Sequence, residues 1–305
     1  MTWQVGVEQE VRLPWLLPRA ARRWRARGAR LAGWTRRQWL GAFGGLVILV
    51  LIVIGAAPHL FAPRHYSQDF DVARRLEAPS SEFFFGTDQL GRDVFSRVVY
   101  GARTSVVIGF GAVGVSVLVS TLLGVCSGYL RGFVDIVLQR FVDIWMSFPG
   151  LIFIVFVVSI FGNSTATIIF TLGLIYGIGS SRVVRSATLS VAARTYVEAA
   201  QAIGAGGPRI MVRHILPNVL PVVLVTASVQ LGAVILAESS LSFLGFGTPP
   251  PFPSWGRMLQ EAQGVMQQHP HLALFPGAAI ALTVFSFNML GDALRDTWDP
   301  RLRGQ

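Results

Sequence analysis

SVVIGFGAVGVSVLVSTLLGVCSG, Ser105 to Gly128, carries no charged side chain and exceeds the ~20 apolar residues that take a helix across a bilayer. In lipid a chain must satisfy its own backbone hydrogen bonds, so such a run reads as a membrane-spanning helix. Five more runs of this kind flank it: Leu40–Ala57, Ile144–Phe161, Ala166–Ser181, Leu220–Leu241 and Leu272–Leu290. The expected fold is therefore all-α and polytopic, with about six transmembrane helices. The fourth run is the shortest. The third can begin earlier, as an amphipathic approach containing Asp135, Arg140 and Asp143.

Composition points the same way. Of 305 residues, 52% are hydrophobic and 14% charged, against roughly 25% charged in an ordinary soluble domain. A large soluble core is excluded. The formal charge of +10 comes from arginine alone, because the sequence has no lysine. A basic balance can serve nucleic acid, but in a chain of apolar runs it sets membrane orientation. Cys126 is the single cysteine, so an internal disulfide and a cysteine metal cluster are excluded. It stands among small apolar residues and reads as a packing residue.

The arginines are unevenly divided. With the N-terminus inside, nineteen of 26 fall on inner segments (1–39, 129–143, 182–219 and 291–305). The outer segments 58–100 and 242–271 hold five and one, and Arg103 lies at a span edge. By the positive-inside rule both ends face the cytosol. The basic stretch 1–39, with Trp24 and Trp34, is too long for a signal peptide's charged region and reads as preceding an uncleaved first span. It can lie on the anionic leaflet or stay solvated and only set orientation. The chain thus divides into a tail (1–39), a first span with an outer segment (40–102), and a core of five spans (103–305). That core holds the inner loop 194–218 and a short cytosolic C-tail. Pro249, Pro250, Pro251 and Pro253 make the outer segment Ser242–His271 a stiff, non-helical loop. Gly124 and Gly128, and Gly173 and Gly177, are each four apart. Such pairs let helices approach closely, within the bundle or against a partner subunit.

The inner loop is the most informative stretch: RTYVEAAQAIG (Arg194–Gly204), AGGPR (Ala205–Arg209), IMVRHILPN (Ile210–Asn218). Tyr196 to Ile203 consists of residues compatible with a short helix, led by alanine. Gly204, Gly206 and Gly207 are expected to break it, and Pro208 suits the first turn of a second helix. Leu216-Pro217 is expected to end that second helix before span five. The result is a helix–turn–helix with Glu198 and Arg209 near its working surface, suited to docking into a partner's groove.

Here the chain resembles a known family. Glu198-Ala199-Ala200, Gly204 and Leu216-Pro217 resemble the signature loop of bacterial ABC importer permeases. FGTDQLGRD (Phe85–Asp93) with YGARTS (Tyr100–Ser105), AESSLSFLG (Ala237–Gly245) and NMLGDALRD (Asn288–Asp296) with DPRL (Asp299–Leu302) are similar to the C-type permease of the dipeptide/oligopeptide/nickel group. The likeness runs over roughly residues 36–303. It implies a type I ABC importer permease fold, and a coupling helix at Glu198–Gly204 that inserts into a nucleotide-binding subunit. Glu198, Ala199, Ala200, Gly204, Arg209, Leu216 and Pro217 are the implied coupling residues. The implied partners are a second, related permease, two ATP-binding cassette subunits, an extracytoplasmic solute-binding protein and membrane lipid, with no nucleic acid. The implied task is carrying dipeptides or oligopeptides by alternating access, with nickel or another small solute as the alternative cargo.

ATP hydrolysis requires a phosphate-cradling loop whose lysine meets the β/γ-phosphates. A chain without lysine lacks it, so ATP and Mg are expected on partner subunits, with no cofactor and no catalysis on this chain. The five histidines form no H-E-x-x-H pattern, and no G-x-S-x-G elbow is present. Glu238, with Ser239, is a candidate for the translocation path or outer gate; equally, its carboxylate can bond Ser239 or Ser242 and fix the helix end. Asp143 is expected to pair with Arg140 within one helix. The rival from another class is an ATP-independent channel or carrier, but such carriers place ionisable sites near mid-bilayer, where this chain has almost no charge.

Overall fold

The computed structural model describes residues 38–69 and 71–298. The arginine-rich tail and the Asp299–Leu302 motif lie outside the described residues. Helices are α1 (Trp39–Ala56), α2 (Val94–Leu130), α3 (Gly132–Met146), α4 (Gly150–Phe161), α5 (Thr165–Ala192), α6 (Thr195–Ala202), α7 (Gly207–Phe243), α8 (Trp255–Ala262) and α9 (His271–Trp298). Short 3₁₀ turns lie at Pro58–Leu60 and Val72–Arg74. Among the described residues the extended pairing is limited to one isolated bridge, Thr87 with Asp93.

Five helices, α1, α2, α5, α7 and α9, are long and apolar enough to cross a membrane. The expected third span is not one helix. α3 and α4 meet at 84° across Ser147–Pro149, and the 12 residues of α4 reach only about 18 Å, short of the ~30 Å hydrocarbon core. Pro149 explains the break: it lacks an N–H and pushes Phe148 out of the helical region. The amphipathic approach is α3 itself. Its Asp135 accepts hydrogen bonds from Arg185 on α5 (Nε at 2.6 Å) and from Ser127 on α2. Asp143 pairs with Arg182 of α5, while the expected Arg140 contact is long, at 3.5 Å.

α2 has 37 residues and is about 55 Å long, so it projects well beyond the lipid. It starts at Val94 because Asp93 caps it, accepting from Ser96 N at 2.9 Å and Ser96 Oγ at 2.5 Å. The expected division at residue 102 therefore falls inside a continuous helix. α2 and α5 form the most extensive pair in the bundle. Both predicted glycine pairs serve it: a Cβ at Gly124 would stand 2.6 Å from Val184 Cβ, and one at Gly173 would stand 2.5 Å from Val115 Cβ. These contacts rise together along both helices, so α2 and α5 run parallel. α1 lies against α9, where Gly41 and Gly44 abut Ala293 and the Ser286 carbonyl.

The connections gather at two ends. One end carries α3, α6 and the start of α7, over a cluster of Val125, Val184, Val197, Ile210, Ile215 and Val219. The other carries residues 57–69, 71–93 and 244–270, over Val94, Trp255, Met258, Leu272 and Ile280. Between them Ile108, Ile168, Leu172, Val234 and Ile235 fill the middle. Large apolar side chains such as Leu118, Leu122 and Phe170 remain exposed along the spans, as suits helices whose solvent is lipid.

Candidate functional site

α6 is held to the bundle by two side chains. Val197 is fully buried and Ala200 nearly so, both in the cluster with Val184 of α5 and Ile210, Ile215 and Val219 of α7. The helix stops at Gly204, whose φ of +78° is a left-handed value disfavoured for residues with a Cβ. Ala205 N donates to Ala200 O at 3.0 Å and Gly204 N to Gln201 O at 2.9 Å; the first is the six-to-one bond that marks a Schellman cap. Gly206 has φ −64°, open to any residue, and Gly207 and Pro208 already form the first turn of α7. The expected three-glycine break is thus a one-glycine break.

The opposite face of α6 is bare. Glu198 and Ala199 are exposed, Tyr196 is 42% exposed, and Ile203 reaches 85%. Arg209 is exposed beside them on α7. Glu198, Arg194, Arg209 and Arg213 make no ion pair among the described residues. Contrary to the expectation, Leu216 and Pro217 do not end the second helix; α7 runs on through them. Pro217 offers no N–H and its ring crowds the carbonyl one turn back. The chain accommodates it with a π turn at Met211–Ile215, closed by Leu216 N to Met211 O, and Asn218 Nδ2 bonds the His214 carbonyl at 2.7 Å.

At the other end Glu238 is 1% exposed and Ser239 4%. Ser242 Oγ donates to Glu238 Oε1 at 2.7 Å. Within this chain the carboxylate is thus buried and serine-bonded near the end of α7. The proline run is non-helical as expected, but the segment also contains α8, which sequence reading placed in a stiff loop. Among the described residues no group of three metal-ligating side chains gathers.

A charged cluster that sequence reading missed ties α8 to the start of α2. Arg97 Nη1 donates to Asp88 Oδ2 at 2.5 Å and to Glu261 Oε2 at 2.8 Å. Arg92 Nε reaches Asp88 at 2.7 Å, and Arg257 Nε reaches Glu261 at 3.1 Å. Burial opposes ionisation of Glu261, but the charge and hydrogen bond of Arg97, with help from Arg92 and Arg257, outweigh it and hold its carboxyl below the ordinary glutamate range. The signal lay in GTDQLGRD. Thr87 Oγ1 bonds the Arg74 carbonyl, Gly91 turns at φ +74° against Asp71, and Asp93 caps α2.

Comparisons with known proteins agree with this architecture. Residues 120–304 match the family described as binding-protein-dependent transport system inner membrane component. The chain is 40% identical over 272 residues to the glutathione transport system permease protein GsiD of Pectobacterium atrosepticum, covering 88% of this chain and 90% of that protein. It is 38% identical over 269 residues to GsiD of Escherichia coli O6:K15:H31, covering 88% and 89%. The chain belongs to this permease family. It is an ABC importer permease of the dipeptide/oligopeptide/nickel group, as its motifs anticipate. Its fold matches the inward-facing methionine ABC transporter MetNI at a TM-score of 0.56, with 18% identity, covering 67% of this chain and 97% of that one. For an importer permease, an exposed helical knob at one end and a charge-clamped loop assembly at the other are the two surfaces that remain to be assigned.

Proposed function

We propose that this permease forms half of an ATP-driven import path for a small peptide-like solute, with α6 docking into an ATP-hydrolysing partner on the cytosolic side. The observation that carries the reading is the construction of α6. One face is locked to the bundle by Val197 and Ala200, and the other presents Glu198, Ala199 and Ile203 to a partner. A rigid knob of this kind transmits force, whereas a floppy loop does not. The side follows from charge. Among the described residues Arg131, Arg194, Arg209 and Arg213 make no ion pair at the α6 end, whereas at the other end Arg64, Arg74, Arg92, Arg97 and Arg257 sit in ion pairs and Arg75 and Arg103 do not. More unpaired arginines thus lie at the α6 end, which supports a cytosolic placement.

In this reading ATP and Mg reside on two cassette subunits, a second permease completes the path, and a solute-binding protein meets the α8 end. Closure of the cassettes pushes α6 and tilts the bundle outward-open; hydrolysis resets it. A peptide-like cargo is supported by relatives named as glutathione permeases.

The decisive experiment is uptake and ATPase activity of the reconstituted importer. Glu198→Arg reverses the charge on the bare face, and Gly204→Pro forces φ to about −65°, incompatible with the left-handed cap. Both are expected to leave insertion intact while ATP hydrolysis continues without uptake. Unchanged uptake in both variants, or transport by this chain without any ATPase, would overturn the reading.

A further inference from the structure

At the α8 end, the GTDQLGRD turn, α8 and the proline loop enclose a cavity of about 330 Å³. Its charged lining sets three guanidiniums, Arg92, Arg97 and Arg257, against two carboxylates, Asp88 and Glu261. One positive charge is left over. The donors are also in excess. Arg97 spends only Nη1 on the two carboxylates, Arg257 only Nε, and Arg92 only Nε and Nη2. The remaining guanidinium nitrogens have no hydrogen-bond partner among the described residues.

We propose that this cavity binds the carboxylate end of a small solute, received by the free N–H groups of Arg97 and Arg257. The inference rests on the peptide-like cargo proposed above. A planar guanidinium fork matches a carboxylate in geometry. One carboxylate group matches the one surplus positive charge of the lining, whereas a dianion such as sulfate overcompensates it. The volume lies at the small end of ligand pockets, roughly 300–1,000 Å³, which suits a dipeptide-sized molecule. Leu90, Phe252 and Leu272 supply an apolar wall for its side chain.

The test is saturation-transfer NMR on the complete importer in nanodiscs without its binding protein, using dialanine and dialanine amide as probes. Dialanine is expected to show a signal displaced by acetate, and the amide one weaker by about tenfold, the worth of a charge-assisted hydrogen bond. Arg257→Gln, which spares the buried Arg97, is expected to weaken dialanine to the level of the amide. Equal signals from acid and amide, displacement by sulfate better than by acetate, or an unchanged Arg257→Gln variant would overturn the site. Two failures remain separable. Dialanine binding here without ATP-driven peptide uptake keeps the site and removes the peptide-import reading, and peptide uptake without this binding does the reverse.

Discussion

Gly204 and Gly206 stand two residues apart in the same turn and do different things. Gly204 sits at φ +78°, and a Cβ there would meet no atom within 4 Å. The cost of replacing it is therefore backbone strain alone. Gly204→Ala is expected to destabilise the α6 cap by about 1 kcal/mol, lowering the coupled fraction of ATPase activity. Gly206, at φ −64° and equally uncrowded, is the N-cap of α7; there alanine's poorer capping offsets the reduced freedom of the unfolded chain, so Gly206→Ala is expected to be neutral within about 0.5 kcal/mol. Thermal unfolding of both variants, read beside ATP-to-uptake ratios, checks the contrast; equal losses would show that the turn needs glycine throughout. Within the Glu-Ala-Ala signature the same residue-scale logic applies. Ala200 is buried against the cluster under α6, whereas Ala199 faces out with Glu198.

Among elements, α8 has the clearest pH signature. Glu261 bonds Arg97, Arg92 and Arg257 and so anchors α8 to the start of α2. Its carboxyl is depressed below the ordinary value of 4.5, so the stabilisation is complete above that value and is lost as pH falls through the lower folded one. Amide exchange of residues 255–262 is expected to stay slow from neutral pH to about 5 and to rise in stronger acid, after correction for intrinsic exchange. Glu261→Gln should show the raised rate at neutral pH. A variant as protected as the parent would remove Glu261 as the anchor. The α3–α4 break belongs to this scale too. Pro149 was visible in the sequence, yet the continuous hydrophobicity of residues 144–161 reads as one span, because hydropathy registers transfer into lipid and is blind to direction.

For the whole molecule, the parallel contact of α2 and α5 sets how the other helices assemble. Gly173→Leu would force a side chain into Val115 and the Ala112 carbonyl. Overpacking of that kind costs about 1–3 kcal/mol, and the solubilised importer is expected to lose a homogeneous size-exclusion peak. Gly114→Ala, on the same α2 helix with open space around it, serves as the control and should behave as the parent. Identical behaviour of the two variants would mean that the glycine seam does not hold the bundle. By itself the sequence determined that this is a polytopic helical permease, roughly where five of its spans run, and that Glu198–Gly204 is a short helix ending on a glycine. Lipid imposes long uncharged runs, and a left-handed cap imposes glycine, so both leave local marks. Only the tertiary structure decided which helices the glycine pairs join, and that Arg97 sits between Asp88 and Glu261. Those outcomes depend on side chains as many as 164 positions apart, and no local pattern in a chain encodes which distant group will stand beside it.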